Sequence, residues 1–233
     1  MHYMGGKFRI SKDIAAILNP ITKGRPFVDL FCGACNIVDK ITTASMRIAN
    51  DNNPYLIALL KAVQNGWEPP THATEDDYRY VSAHPDENPA LTGFILIGCS
   101  FGGAWKSGFA KCSRGRSYAL SAHNSLMKQR DKLGGVQFTC SDYSELLIPK
   151  GAVVYCDPPY KGTYNHYYKS TFDYDKFLYW VEANKENYDI YISEYARNNI
   201  NGYQSVWERD SRTGIKGKDS CIIPTREVLL FAS

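Results

Sequence analysis

Apolar positions along this chain follow two spacings, and the alternation between them lays out strands and helices. Short segments at residues 26–31, 47–51, 136–140, 151–156 and 189–193 read as strands, and the continuous apolar run of 151–156 as a buried one. Between them, apolar residues recur three and four apart. Ile10, Ile14, Ile17 and Leu18 share one face of a predicted helix over 11–18 that Ser11 caps, with Pro20 just beyond its end. Further helices are predicted at 37–43, 53–64, 74–83, 89–98, 121–133 and 174–184, and two last strands at 202–208 and 226–231. Alternating strands and helices before residue 66 and again after 135 are the order of an α/β fold with a doubly wound sheet. From 66 to 135 that rhythm gives way to helical segments and a glycine-rich loop. The expected organisation is one domain formed by 1–65 and 136–233, with 66–135 inserted into it.

The strand ends carry the chemistry. The run Val153-Val154-Tyr155-Cys156 stops at Asp157-Pro158-Pro159-Tyr160. Two prolines without N–H groups cannot continue a central strand, so the chain leaves the sheet there in a rigid turn. That turn holds a carboxylate and a ring at the carboxyl end of a strand, where open α/β sheets bind ligands. Such a pair suits a planar group bearing an amine. The ring lies on its face, and Asp157 and the Pro158 carbonyl accept from its N–H groups. A plain surface turn would carry the same residues.

Other strand ends repeat the theme. The first strand runs into Cys32-Gly33-Ala34-Cys35-Asn36, a small-residue turn that lets a ligand approach backbone N–H groups. It lacks G-x-G-x-x-G, which argues against a dinucleotide pyrophosphate. The second strand ends at Asp51, where doubly wound folds grip a ribose, although an acid there also caps a helix. Ser141-Asp142-Tyr143 places an acid and a ring after another strand, fit for a purine or for a turn. Glu194-Tyr195 ends the strand at 189–193. Near the start, Tyr3-Met4-Gly5-Gly6-Lys7 joins a ring, two glycines and a cation, which is either a ligand contact or a frayed terminus.

Composition narrows the class. The chain of 233 residues is 44% hydrophobic and 22% charged, which excludes a disordered chain. A net charge of +3 permits a nucleic-acid partner without requiring one. The cysteines are irregularly spaced and several sit in strand-like runs (Cys99, Cys140, Cys156, Cys221), as in a reduced cytosolic protein. Cys32 and Cys35 form the sole C-x-x-C, and with no second ligand pair no metal is expected. The N-terminus lacks a signal peptide's apolar core and no run has the length of a membrane span, so no membrane partner is expected.

Within the insert, Phe101, Trp105 and Phe109 interleave with Gly102, Gly103, Gly108, Lys106 and Lys111, and Arg114 and Arg116 follow. Cations reach phosphates and rings reach bases, so this loop is a candidate nucleic-acid contact. Residues 161–171, with Gly162, Tyr164, Tyr167 and Tyr168, have the composition of a flap. Arg209, Arg212, Lys216 and Lys218 are expected in a solvated surface loop.

Taken in order, these features resemble the DNA adenine-N6 methyltransferases. The match is to the group in which the cofactor motif precedes the recognition region and the catalytic motif follows it, short phage-borne members included. The resemblance runs from Tyr3 to about Phe231 and is most specific at Asp157-Pro158-Pro159-Tyr160 and Gly5-Gly6-Lys7. One departure is Cys35, where many members carry a second glycine. Ala34 and Cys35 are small, which keeps room for the turn.

The resemblance implies a Rossmann-like S-adenosylmethionine-dependent methyltransferase sheet with 66–135 as a mostly helical target-recognition region. It implies S-adenosyl-L-methionine as cofactor, contacted by Tyr3, Lys7, Asp51 and Asp157. Phe31, Cys32 and Gly33 would line its methionine end, and Asp142 and Tyr143 would flank its adenine. Asp157, Pro158 and Tyr160 would be catalytic, without a metal. Double-stranded DNA would be the substrate, contacted by Lys106, Lys111, Arg114 and Arg116. A cytoplasmic, nucleoid-associated location and a cognate restriction enzyme accompany that reading.

The chemistry suits the residues. The adenine N6 lone pair is delocalised into the ring, and hydrogen bonds to Asp157 and the Pro158 carbonyl would localise it and aim it at the sulfonium methyl. The base would be flipped out of the duplex, stacked on Tyr160 and closed in by the flap. RNA adenine, DNA cytosine-N4 and a protein glutamine are the competing planar amines. A decayed relative that binds only cofactor or DNA is the non-enzymatic alternative.

Overall fold

The computed structural model describes residues 1–111, 117–161, 172–198, 200, 202–216 and 222–232, with 211–216 and 222–224 through their backbone alone. Its centre is a seven-stranded sheet of β1 (Pro26–Asp29), β2 (Met46–Asn50), β3 (Val136–Thr139), β4 (Val153–Cys156), β5 (Asp189–Tyr195), β6 (Gln204–Lys216) and β7 (Ile222–Ala232). The order is β3-β2-β1-β4-β5-β7-β6. Strands β1 to β5 are parallel, and β7 runs antiparallel between β5 and β6. The chain winds outward from β1 through β2 to β3, then returns to lay β4 on the other side of β1. The order reverses between β1 and β4, and that is where such sheets bind ligands.

Both faces of the central strands are covered, which is why β4 reads as an unbroken apolar run. Side chains alternate across the pleat. Phe27, Val153 and Tyr155 face one core with Ile14 and Leu18 of α1 (Ser11–Ile21) and Leu56 and Leu60 of α2 (Pro54–Gln64). Val28, Val154 and Cys156 face the other. There Phe177 and Val181 of α6 (Tyr174–Asn184) pack against them. A third core joins Leu59 and Val63 of α2 to α3 (Glu75–Ala83), α4 (Pro89–Gly93) and α5 (Tyr118–Arg130). The described residues between 66 and 135 add no strand to the sheet.

The expected α/β class, alternation and strand positions hold, with three differences. First, Ser11 is the first residue of α1 rather than its cap. Its hydroxyl donates to the Phe8 carbonyl, and the helix runs through Pro20 to Ile21. Second, the helix expected at 37–43 is a single 3₁₀ turn, Val38–Lys40. Asn19 accounts for this: its amide donates to the Lys40 carbonyl at 3.0 Å and accepts from the Thr42 N–H at 2.8 Å, holding the chain extended. Third, β6 and β7 are longer than expected, and Arg209, Arg212 and Lys216 lie on β6 rather than in a loop. The two strands keep pairing past the end of β5, from Asp210↔Arg226 to Lys216↔Ile222. Backbone pairing in a ribbon is indifferent to polar side chains. Lys218 lies outside the described residues. Among the described residues, no helix is long and apolar enough to cross a membrane.

Candidate active site

The carboxyl ends of β1, β2 and β4 converge on one turn. Past β1, the Leu30 N–H donates to the Tyr155 carbonyl at 2.9 Å and the Cys32 N–H to the Asn50 carbonyl at 2.7 Å. The turn is thus sewn to β4 on one side and β2 on the other. It closes through Cys35 N–H to the Cys32 carbonyl at 2.7 Å. Gly33 has φ +47°, and a Cβ on it would lie 2.9 Å from the Tyr3 ring. Cys35 also adopts a left-handed backbone, φ +58°, so the residue that replaces a glycine keeps a glycine's conformation. Gln129 of α5 braces the turn from below. Its amide donates to the Ala34 and Cys35 carbonyls and to Asp39.

Asp51 follows β2 and faces this turn. One carboxylate oxygen accepts from the Gly33 N–H at 3.1 Å and the other from the Asn53 N–H at 2.9 Å. Asn53 in turn caps α2, so Asp51 orders both the glycine turn and the helix start. Burial raises the Asp51 carboxyl above its ordinary range, against the pull of the Asn53, Gly33 and Asn52 N–H groups. Asn50 ties the same strand ends together. It donates to the Leu30 and Ser141 carbonyls and accepts from the Thr139 and Ser141 hydroxyls.

Asp157 leaves β4 beside β1 and meets Lys7. Lys7 Nζ lies 2.8 Å from Asp157 Oδ1, donates to the Gly5 carbonyl at 3.1 Å and sits 4.7 Å from the Tyr160 ring centroid. Lys7 and Asp157 are 8% and 17% exposed, so this is an ion pair inside the site rather than on its rim. Burial raises the Asp157 carboxyl and Lys7 works against it, with the net still upward. Tyr160 is 9% exposed and meets Tyr195 edge-on, centroids 4.5 Å apart.

Asp29 carries the clearest mark of a missing partner. It is buried, and its Oδ1 accepts no hydrogen bond from the described residues. Burial pushes its carboxyl well above the usual carboxylate range, and the nearby Asp157 adds to the effect. Asp29, Asp51 and Asp157 therefore gather around this turn, with Lys7 as the cation among them. A ligand carrying positive charge and N–H donors fits that surplus.

The structure brings together Tyr3, Lys7, Cys32, Gly33, Asp51 and Asp157 as the sequence pattern suggests. Phe31 and Tyr143 also meet, centroids 5.3 Å apart, but within an aromatic cluster that includes Phe172, Phe177 and Trp180. Tyr143 is buried there, its hydroxyl finds no partner among the described residues, and burial pushes its pKa up to about 12. Asp142 accepts from the Ser144 N–H and hydroxyl in a local turn. In the insert, Lys106 donates to the Ser82 carbonyl at 3.3 Å and Lys111 pairs with Glu75 at 3.1 Å. Arg114, Arg116 and the residues expected in the flap, Gly162, Tyr164, Tyr167 and Tyr168, lie outside the described residues. Sequence reasoning gave no role to the Asp29 carboxyl, Asn50, Gln129 or Glu194. Only Glu194 carried a signal: it repeats the acid-and-ring ending of β4.

The family model described as D12 class N6 adenine-specific DNA methyltransferase matches residues 3–90 and 105–196. No curated protein matches the sequence at a significant level. Among solved structures, the rRNA methyltransferase aviRa from Streptomyces viridochromogenes is similar at 11% identity and a TM-score of 0.44, covering 99% of this chain and 87% of that one. A conserved hypothetical protein from Streptococcus pyogenes is similar at 10% identity and a TM-score of 0.39, covering 94% of both chains.

Proposed function

Because the chain belongs to the family of D12 class N6 adenine-specific DNA methyltransferases, we propose that it methylates N6 of a flipped-out adenine at a specific site in double-stranded DNA. As a member of this methyltransferase family it uses S-adenosyl-L-methionine as cofactor. The observation that carries the proposal is the Lys7–Asp157 ion pair beside the β1 turn, which fixes an acceptor carboxylate at the sheet's reversal point.

The residues present fit the cofactor. Asp29 offers a buried oxygen awaiting a donor, and Asp51 is oriented by two backbone N–H groups with lone pairs to spare for a ribose. Gly33 lets the Tyr3 ring pack where a Cβ would stand, and Cys32 precedes it in the same turn. Asp142 and Phe31 stand on the side where the cofactor's adenine would lie, with Tyr143 behind them in the aromatic cluster. When bound, the cofactor supplies an electrophilic methyl on a sulfonium.

The protein's part is positioning and charge. Asp157 and the Pro158 carbonyl accept hydrogen bonds from the two N6–H groups, which aims the nitrogen lone pair and stabilises the charge that develops on it. One of those protons departs by way of the Asp157 carboxylate once the methyl is transferred. Lys7 holds Asp157 in place. Tyr160 stacks on the base, and because it is nearly buried here, its neighbours must part to admit one. The insert 66–135 reads the target, with Lys106, Lys111, Arg114 and Arg116 contacting the duplex. Lys106 and Lys111 would exchange their present partners for phosphates.

The test is transfer of labelled methyl from S-adenosyl-L-methionine to unmethylated duplex DNA, with nucleoside analysis of the product, wild type beside Asp157→Ala. N6-methyladenine made by wild type and lost in the variant is expected. Methylcytosine, methylation confined to RNA, or cofactor binding without any transfer would overturn the substrate assignment.

A further inference from the structure

Glu194 ends β5 fully buried, and four donors converge on its two oxygens. Oε2 accepts from the Lys161 N–H at 3.1 Å and the Tyr174 hydroxyl at 2.7 Å. Oε1 accepts from the Tyr195 N–H at 2.7 Å and the Asn198 amide at 2.9 Å. The same Asn198 amide donates to the Lys161 carbonyl at 3.0 Å. Lys161, the residue that follows Tyr160, is therefore gripped at both its N–H and its C=O. On the other side of the carboxylate, the gripped backbone is that of Tyr195, whose ring meets Tyr160 edge-on at 4.5 Å. No other described carboxylate in the molecule is saturated by donors from both sides of the active-site rings.

Resting on the methyltransferase reading above, we infer that Glu194 is the positioning residue that sets the Tyr160–Tyr195 ring pair, and through it the seat of the target base. The argument turns on hydrogen-bond chemistry. A carboxylate accepts all four bonds, whereas an amide of the same shape can accept on one side only. The Tyr174 hydroxyl can turn and the Asn198 amide can flip, but a backbone N–H cannot. Glu194→Gln therefore leaves either the Lys161 N–H or the Tyr195 N–H facing an NH₂ group. Volume and burial are unchanged, so the variant displaces one ring backbone without opening a cavity. Glu194 touches neither the turn at Gly33 nor Asp51, and its charge ranks behind burial, Lys7 and Glu227 among the influences on the Asp157 carboxyl, so cofactor affinity should hardly depend on it.

The test compares wild type, Glu194→Gln and Tyr174→Phe, the last removing one donor while leaving the carboxylate. The substrate is whichever amine wild type methylates, DNA being tried first and RNA second. For Glu194→Gln, kcat falls about 10²-fold, the scale of a misplaced reacting group, with the Kd for S-adenosyl-L-methionine within twofold. The fluorescence of 2-aminopurine at the target position changes with it. Tyr174→Phe shows the same pattern at about a tenth of the size. Cofactor affinity falling in step with kcat, or wild-type kcat in Glu194→Gln, overturns the inference. Amide exchange provides an arm that needs no substrate: the Lys161 or Tyr195 N–H must exchange at least about tenfold faster in Glu194→Gln while the amides of β1 and β4 do not. Unchanged exchange at both overturns the inference even if wild type methylates nothing, an outcome that would by itself defeat only the proposed reaction.

Discussion

Replacing Lys7 by methionine keeps most of the side chain's stem and removes its charge. The partner, Asp157, is 2.8 Å away and 17% exposed. At that distance the attraction is about 6 kcal/mol for an effective dielectric of 20, before desolvation is charged against it. In practice, breaking a buried pair by removing one partner costs about 3–5 kcal/mol. The residual solvent contact of Asp157 places the expected loss at the lower end, about 3 kcal/mol.

The loss depends on pH with a defined sign. Burial already raises the Asp157 carboxyl, and without Lys7 it rises further. The deficit is complete where Asp157 is ionised and shrinks as acid protonates it. Urea unfolding of wild type, Lys7→Met, Asp157→Asn and the double variant at pH 8 and pH 5 measures it. Lys7→Met should lose about 3 kcal/mol at pH 8 and clearly less at pH 5, with a coupling to Asp157 of about 2 kcal/mol in the cycle. The acid limb of kcat/KM should move to higher pH in Lys7→Met, because Asp157 must be ionised to accept from the amine. An equal deficit at both pH values, or a coupling under about 0.5 kcal/mol, would show that Lys7 does not hold the carboxylate.

Three further outcomes follow from single side chains. Asp29 holds its proton more tightly folded than unfolded, so it costs stability increasingly as pH rises from the ordinary carboxylate range through its own raised pKa. Asp29→Asn should melt above wild type at pH 8, meet it near pH 4, and bind S-adenosyl-L-methionine at least about tenfold more weakly by calorimetry, the loss expected for one hydrogen bond to charge. A lower melting point at pH 8 counts against the burial argument. Gly33→Ala combines φ +47° with a Cβ 2.9 Å from the Tyr3 ring, and should cost about 1–2 kcal/mol in unfolding and proportionately more in cofactor affinity. Gly93→Ala would place a Cβ 2.2 Å from the Tyr55 carbonyl, forcing α4 off α2. It should destabilise by about 2–3 kcal/mol and leave cofactor binding by the folded fraction intact.

Much of the site was legible because the strand ends announce themselves. Prolines 158 and 159 forbid a central strand to continue, and Asp51 falls at the end of the second strand expected from the sequence. The helix expected at 174–184 matches α6, and Asp173 caps it by accepting from the Lys176 N–H. What escaped was set by side chains reaching across the fold. Asn19 cancels the helix expected after Asn36 from 23 residues away, through the Thr42 N–H. Gln129 sits on a weakly patterned helix and braces a turn 94 residues upstream in Cys35. Local spacing carries no trace of either. The near burial of Tyr160 escaped for the same reason: its neighbours Lys7 and Tyr195 come from opposite ends of the chain.

The adjacency of β1 and β4 also governs how this protein comes into being. Arg25 Nε bonds the Gly151 carbonyl across 126 residues, and the Phe27↔Val153 register begins beside it. As the chain leaves the ribosome, β1 and β2 can pair early, but the other edge of β1 has no neighbour until the whole insert has been made. For that interval an apolar strand presents unpaired N–H and C=O groups to its surroundings, an open template for misassociation. A nascent or prematurely terminated chain that stops before β4 is thus a candidate for chaperone capture and aggregation rather than a half-working enzyme. It would hold the turn after β1 but not the strand that supports it. Slow synthesis through residues 66–135 would lengthen the exposure, and the yield of folded protein should fall with it.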